Sequence, residues 1–367
     1  MKIIQILPEL NAGGVERGTL EIAAHLMAHG HESIVISNGG RLVEELENGG
    51  SRHITMPVHR KALGSLGQIP ALRKLFIEEK PDIIHLRSRL PAWLAFLAWK
   101  SMDKRTRPRL VTTVHGFYSV NAYSAVMTKG EAVIAVSESV RDYLLENYPQ
   151  TSDSKIQVIP RGIELEILHP DFQVSAEWLE GWHNKLPHLA GKCVLLLPGR
   201  ITRLKGHDDF FTLIAALKDE GIPVHGLIAG DTHAKKEAYM DELRATVARL
   251  GIGGEITFLG HRRDIQEVMS ASDIVFALSQ QPESFGRTVL EALALGKPVV
   301  GYDCGGVGEL LAALFPQGRV ALGNSAQLRD VTRAIILKRT RPAAVSDPYT
   351  LNAMCDATLS VYRSLVG

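Results

Sequence analysis

Short runs of apolar, largely β-branched residues alternate along the chain with longer stretches in which apolar residues recur every three to four positions. In the first half the short runs fall at 2–7, 33–37, 82–86, 110–114, 132–136 and 156–159; in the second they fall at 192–197, 224–229, 256–259, 274–277 and 298–302. Short β-rich apolar runs alternating with helical stretches read as strands of a parallel sheet built from βαβ units, covered on both faces. Residues 15–29 show the helical period clearly: Thr19, Ile22, Ala23, Leu26 and Met27 share one face, and Gly30 follows as a stop. The rhythm breaks over 164–191, which holds Pro170, Trp178, Trp182 and Pro187 without a strand period, and resumes at Lys192. The pattern predicts an α/β protein of two doubly wound parallel-sheet domains, 1–165 and 166–346. A terminal helix over 347–367 follows, with Leu351, Met354, Leu359, Val361 and Leu365 spaced for packing.

Composition narrows the class. The 367 residues are 45% hydrophobic and 22% charged, enough apolar surface for two cores and too much for a disordered chain. Lys and Arg number 41 against 40 Asp and Glu, a net +1 that disfavours a generally basic nucleic-acid binder, so nucleic acid is not an expected partner. Three cysteines, Cys193, Cys304 and Cys355, form no CxxC and indicate neither a disulfide framework nor a zinc site, which fits a reducing cytoplasm. The N-terminus reads as a first strand rather than a signal peptide, and no run reaches the roughly 18 apolar residues of a membrane span. The expected location is cytoplasmic, at most peripheral on the inner face of the cytoplasmic membrane.

Three segments carry candidate chemistry. The loop Asn11-Ala12-Gly13-Gly14-Val15 lies between the first strand and first helix, where α/β sheets bind ligands and a helix N-terminus favours an anion. A tight turn needing positive φ would use the same glycines. The loop is not GxGxxG, and the second strand ends Ile36-Ser37-Asn38 without an acidic residue, so nicotinamide dinucleotide binding loses support. At the start of the second domain, Gly199, Arg200, Lys205 and Gly206 follow a strand, and a guanidinium fork beside an ammonium suits a diphosphate; two solvated loop cations are the alternative. In the third segment, Glu283-Ser284-Phe285-Gly286-Arg287-Thr288 leads into a helix over 288–295, with Glu291 near its first turn and Gly296-Lys297-Pro298 beyond it. Two carboxylates, one on a loop and one on a helix, can accept hydroxyls from different parts of one extended ligand. Complementing the helix N-terminus is the plainer role for Glu291.

Together these motifs resemble the retaining glycosyltransferases of family 4, which have the GT-B fold of two Rossmann-like domains facing across a cleft. The likeness extends to Val158-Ile159-Pro160-Arg161-Gly162-Ile163, with Arg161 where asparagine is usual, to Ile256-Thr257-Phe258-Leu259-Gly260, and to Gly305-Gly306-Val307-Gly308-Glu309. It covers essentially the whole chain. The resemblance implies a nucleotide sugar, UDP- or GDP-linked, as co-substrate and no metal; the absence of Asp-x-Asp agrees. By the same resemblance, Glu291 would hold the ribose, and Arg200 with Lys205 the diphosphate. Glu283 and the Phe285–Gly286 backbone would hold the donor sugar, Gly14 would close over the phosphates, and Gly13, Arg287 and Thr288 would belong to the substrate-binding set. His115, in Thr113-Val114-His115-Gly116, matches a strand-end histidine near the donor sugar, and Gly260, His261 and Arg262 would pass near the base. The terminal helix would cross back onto the first domain. Breaking the anomeric bond leaves negative charge on the diphosphate, which Arg200, Lys205 and loop amides would stabilise without a metal. Retention through same-face attack, with the leaving phosphate as base, is what the resemblance implies.

One stretch stands apart. From His85 to Arg109 seven Lys or Arg stand against Asp103, a local +6, with Trp93, Phe96 and Lys100 at helical spacing. Such a helix can lie on an anionic membrane or meet a phosphorylated glycolipid; an ordinary helix burying its tryptophans reads the same way. The expected function is transfer of a sugar to a saccharide or lipid-linked acceptor in lipopolysaccharide or envelope polysaccharide synthesis. The competing readings are a sugar-nucleotide epimerase of the same fold and a non-catalytic nucleotide-sugar-binding scaffold.

Overall fold

The computed structural model describes residues 1–11, 13–60, 63–231 and 237–367 and divides into two units, Met1–Gly162 with Pro348–Gly367, and Ile163–Asp347. In the first unit the strands are β1 (Lys2–Ile6), β2 (Glu32–Ser37), β3 (Arg52–Thr55), β4 (Ile83–Leu86), β5 (Arg109–Val114), β6 (Ala132–Ala135) and β7 (Ile156–Val158). Between them run helices α1 (Gly14–Ala28), α2 (Val43–Asn48), α3 (Gln68–Glu79), α4 (Arg89–Lys100) and α5 (Glu138–Asn147). All seven strands pair in parallel in the order β3-β2-β1-β4-β5-β6-β7. β3 was not evident in the pattern: Arg-His-Ile-Thr sits at the sheet edge, half solvated, so no apolar run marks it.

The second unit begins with α6 (Ala176–Lys185), inside the stretch where the strand rhythm fails. Its strands are β8 (Cys193–Pro198), β9 (Val224–Ala229), β10 (Ile256–Gly260), β11 (Ile274–Ala277), β12 (Val299–Tyr302) and the short β13 (Arg319–Val320). The helices are α7 (His207–Asp219), α8 (Glu237–Arg249), α9 (Ile265–Ser270), α10 (Arg287–Ala294), α11 (Gly305–Leu314) and α12 (Ser325–Lys338). The sheet is parallel, in the order β10-β9-β8-β11-β12-β13. Two-residue β13 is too short to leave a period in the sequence.

The last helix, α13 (Leu351–Val366), packs in the first unit, where Met354, Cys355, Leu359, Val361 and Tyr362 join a core of Ile3, Ile22, Leu26, Ile83 and Val111. The Tyr362 hydroxyl shares a 2.6 Å hydrogen bond with Nδ1 of buried His85 on β4, whose Nε2 lies 2.6 Å from Thr113 Oγ1. Among the described residues no helix is long and apolar enough to cross a membrane.

Candidate active site

In open parallel sheets ligands settle beyond the carboxyl ends of the strands, where the chain's winding direction reverses. In the second unit that point lies between β8 and β11, flanked by the two segments singled out from the sequence. After β8 the chain turns through Gly199 at φ +133° and a single 3-10 turn, Arg203–Lys205, into Gly206 at φ +72°, which opens α7. A side chain at Gly206 would run into the Leu278 carbonyl just after β11, so glycine here lets the two loops touch. The Gln280 amide donates to the Leu204 carbonyl at 2.8 Å and locks them together.

That closeness brings Lys205 Nζ to 2.6 Å from Glu283 Oε1, while the Ser279 hydroxyl donates to the same oxygen. Burial pushes the Glu283 carboxyl up, but Lys205, Ser279 and Arg200 outweigh it and hold it below the usual range. Glu283 is therefore an ionised acceptor at neutral pH, suited to sugar hydroxyls rather than to donating a proton. Its main chain rests on the start of α11: Gly306 N–H donates to the Glu283 carbonyl at 2.8 Å, and a side chain at Gly306 would strike Phe285 Cα. The paired glycines at 305 and 306 thus seat the loop. Behind it, Asp209 on α7 accepts from Gln280 Nε2 and the Tyr302 hydroxyl.

Phe285 is buried, and Gly286, at φ +94°, opens α10. The helix starts at Arg287, one residue earlier than expected, which moves Glu291 into its second turn; complementing the helix N-terminus is therefore not its role. Glu291 Oε1 instead lies 3.2 Å from Arg287 Nε, one turn back, and Thr288 occupies the first turn, partly buried. Gly260 ends β10 at φ +67°, its carbonyl accepting from Gly230 at 2.9 Å, and His261 is exposed. Arg262 is drawn aside: Nε is 2.8 Å from Asp264 Oδ1, Trp178 Nε1 donates to Asp264 Oδ2 at 2.7 Å, and Trp178 stacks on Trp182. This gives the tryptophans of the irregular stretch a packing role.

The first unit's reversal point lies between β1 and β4. Gly13 sits there at φ +139° ahead of α1, and nothing lies within 4 Å of where a Gly14 side chain would begin. Ala12 of the same loop lies outside the described residues. Arg87, which reads as one member of the basic stretch, is only 2% exposed at the end of β4, with Nη1 donating to Gln5 Oε1 at 3.0 Å. Arg161 Nη2 lies 2.5 Å from His115 Nδ1 just beyond β5. A guanidinium only donates, so His115 Nδ1 accepts and its one proton sits on Nε2. Burial first, then Arg161 and Arg87, keep His115 well below the usual imidazole range and hence neutral. Both guanidiniums reach α1 at Gly18, where a Cβ would come within 2.5 Å of Arg161 Nη1 and 3.1 Å of Arg87 Nη2. Glycine inside a helix costs about 1 kcal/mol relative to alanine; Gly18 was the sequence signal for this approach, and it was overlooked.

The remaining basic residues divide. Trp99 is buried, its indole donating to the Pro108 carbonyl at 2.7 Å with Arg107 stacked 3.4 Å above the ring, and Trp93 donates to the Tyr123 carbonyl at 2.7 Å. Arg89 stacks on Tyr118 and Arg109 pairs with Glu131. The fold therefore uses the tryptophans, Arg87, Arg89 and Arg107 internally, holds Arg109 in a surface pair with Glu131, and leaves Leu97, Lys100, Lys104 and Arg105 exposed.

Comparison with known proteins addresses the family and the fold. Residues 12–167 match Glycosyltransferase Family 4 and residues 180–342 match Glycosyl transferases group 1. A solved glycosyltransferase from Rickettsia africae is 30% identical, covering 100% of this chain and 98% of that one, with a TM-score of 0.85. The lipopolysaccharide core biosynthesis mannosyltransferase LpcC of Rhizobium leguminosarum is 30% identical over 252 residues, 65% of this chain, and the match spans 65% of that protein's length. The structure of Anabaena HepE in complex with UDP and glucose, 22% identical over 99% of this chain and 100% of that one, has the same fold at a TM-score of 0.80.

Proposed function

This chain belongs to the group 1 glycosyl transferases, with a family 4 first half, and from that premise we propose that it moves a sugar from a nucleoside-diphosphate donor to a saccharide or lipid-linked acceptor, with retention, in envelope polysaccharide synthesis. The observation that carries the reading is the Lys205–Glu283 pair at 2.6 Å over the β8–β11 reversal point. Cleaving the anomeric bond places negative charge on the departing diphosphate. Lys205 and Arg200 are set in the loop where cations would meet that charge, and donors fixed before the reaction need no reorganisation as it develops. Glu283, held ionised, accepts hydrogen bonds from the sugar; Glu291 does the same for the ribose diol. In the first unit His115, neutral with its proton on Nε2, is a hydrogen-bond donor rather than a cation. The name of the Rhizobium relative, a lipopolysaccharide core mannosyltransferase, supports a glycolipid-type acceptor.

A membrane-proximal acceptor is supported by the exposed Leu97, Lys100, Lys104 and Arg105. At roughly 1 kcal/mol per cation near an anionic surface, neutralising Lys100, Lys104 and Arg105 together should visibly weaken binding to vesicles containing anionic lipid; unchanged binding removes the membrane from the proposal. The donor reading is tested by thermal shift with UDP, GDP and ADP on the wild type and Glu291→Ala. Ligand at about 100 times its dissociation constant stabilises the native state by roughly 2.7 kcal/mol. One nucleotide should raise the melting temperature in the wild type and fail to in the variant. No shift from any of the three would overturn the proposed site.

A further inference from the structure

A second cluster of side chains, on α1 and α13, takes no part in the chemistry described above. His25 lies in the last turn of α1 and His29 caps it, four residues on, so the two imidazoles share one face with ring centroids 4.0 Å apart. Asp356 reaches them from α13, with Oδ1 at 3.0 Å from His25 Nε2. One ring nitrogen of each histidine and one carboxylate oxygen lie within 4.8 Å of one another, the one such grouping of His, Cys, Asp or Glu found among the described residues.

Two details separate this cluster from a plain ion pair. His25 Nε2 is buried and, despite its closeness to Asp356, makes no hydrogen bond of acceptable geometry among the described residues. His29 Nδ1 lies 2.8 Å from the His25 carbonyl; a carbonyl only accepts, so Nδ1 carries the proton and the lone pair is on Nε2. Metal-binding histidines are commonly oriented in this way, one ring N–H on a backbone carbonyl and the other nitrogen free to coordinate.

We propose that His25, His29 and Asp356 bind a divalent transition-metal ion, zinc by ligand type, which clasps α13 to α1. Two imidazoles and a carboxylate form a three-ligand set that leaves a fourth position for water. Tetrahedral bonds of about 2.0–2.1 Å place ligand atoms about 3.3 Å apart. The His25–Asp356 separation of 3.0 Å is close to this, and His29 and Asp356, both exposed, have room to adjust. The ion would join residues more than 300 positions apart, on the helix that Tyr362 and His85 otherwise anchor.

The test is calorimetric titration of zinc chloride into the full-length, untagged chain, with cobalt(II) as an optical probe of coordination. The expected result is one equivalent bound, a zinc-dependent rise in melting temperature, and a visible cobalt spectrum of nitrogen and oxygen ligation. His29→Ala and Asp356→Ala should each weaken binding at least about tenfold. Because both side chains are exposed, the metal-free melting temperatures of the variants should stay near wild type, which separates lost ligation from lost folding. Absence of saturable binding, or binding unchanged in His29→Ala, overturns the proposal. None of these readouts involves sugar transfer, so the outcome is independent of the catalytic reading.

Discussion

Lys205→Met removes one charge from the second unit's cluster while keeping most of the side chain's length. The Lys205 and Glu283 side chains are 27% and 31% exposed and paired at 2.6 Å. At that exposure solvent screens much of the attraction, so losing the pair should cost the fold only about 1 kcal/mol. If the ammonium also meets the departing diphosphate, its loss should lower kcat by about 10²–10³, roughly 2.7–4 kcal/mol. The excess of the kinetic over the thermodynamic loss is the prediction. A second consequence concerns pH. Burial drives the Glu283 carboxyl up, and Lys205 leads the groups that hold it down. A carboxylate depressed in the native state contributes stability above its unfolded value of about 4.3 and loses it as pH falls. In the variant the native carboxyl titrates at higher pH, so less of that stability remains to be lost, and the acidic limb of turnover should move to higher pH than in the wild type. The assay follows nucleoside diphosphate release as kcat against pH, with urea unfolding in parallel. A kcat near wild type, or a kinetic loss no larger than the stability loss, would refute the reasoning.

Other outcomes follow from the same contacts. Arg161→Gln should free His115 Nδ1 and remove a nearby positive charge, so the imidazole should titrate at higher pH and lose its single Nε2–H tautomer; ¹⁵N chemical shifts of His115 unchanged from wild type would contradict this. Tyr362→Phe leaves a nitrogen of fully buried His85 unpaired and should cost about 1–3 kcal/mol in urea unfolding with an unchanged m-value. His207 and His225 are 1% exposed and, chiefly through burial, are depressed to about 4. The unfolded chain binds their protons first as pH drops below about 6.5, so each should remove on the order of 3 kcal/mol between pH 6.5 and 4. His225→Gln should flatten that pH dependence, and an equal slope would count against it. Gly306→Ala pushes a methyl into the Phe285 backbone, with about 1–3 kcal/mol of overpacking expected and a reduced nucleotide-induced thermal shift.

Much of the architecture was legible in one dimension. Parallel strands are buried on both faces, and ten of the observed strands overlap apolar runs by at least four positions; β7, three residues long, overlaps one over its whole length. β3, half solvated at an edge, and β13, two residues long, have no such run to announce them. The segments around Lys205 and Glu283 stood out by their charged residues in strand-end loops; in the fold, the glycines at 199, 206, 286, 305 and 306 that accompany them serve positive φ or close backbone approach, needs that only that residue meets cheaply. Gly18 carried the same signal and was passed over inside a helical period.

The sequence by itself therefore carried the βα series, its break after about residue 165, and the strand-end loops singled out for ligand chemistry. It could not say which polar side chains meet. Arg87 looks like surface charge until β1 places Gln5 beside it; Arg161 lies 46 positions from the histidine it holds, and Tyr362 lies 277 from His85. Arg262 is diverted by Asp264, which Trp178 anchors from 86 positions away. Periodicity records which face of an element is buried, because burial acts on every residue of that face alike. Partners of buried polar groups are chosen one at a time, by whichever donor or acceptor the fold brings within about 3 Å, and only the tertiary structure makes that choice.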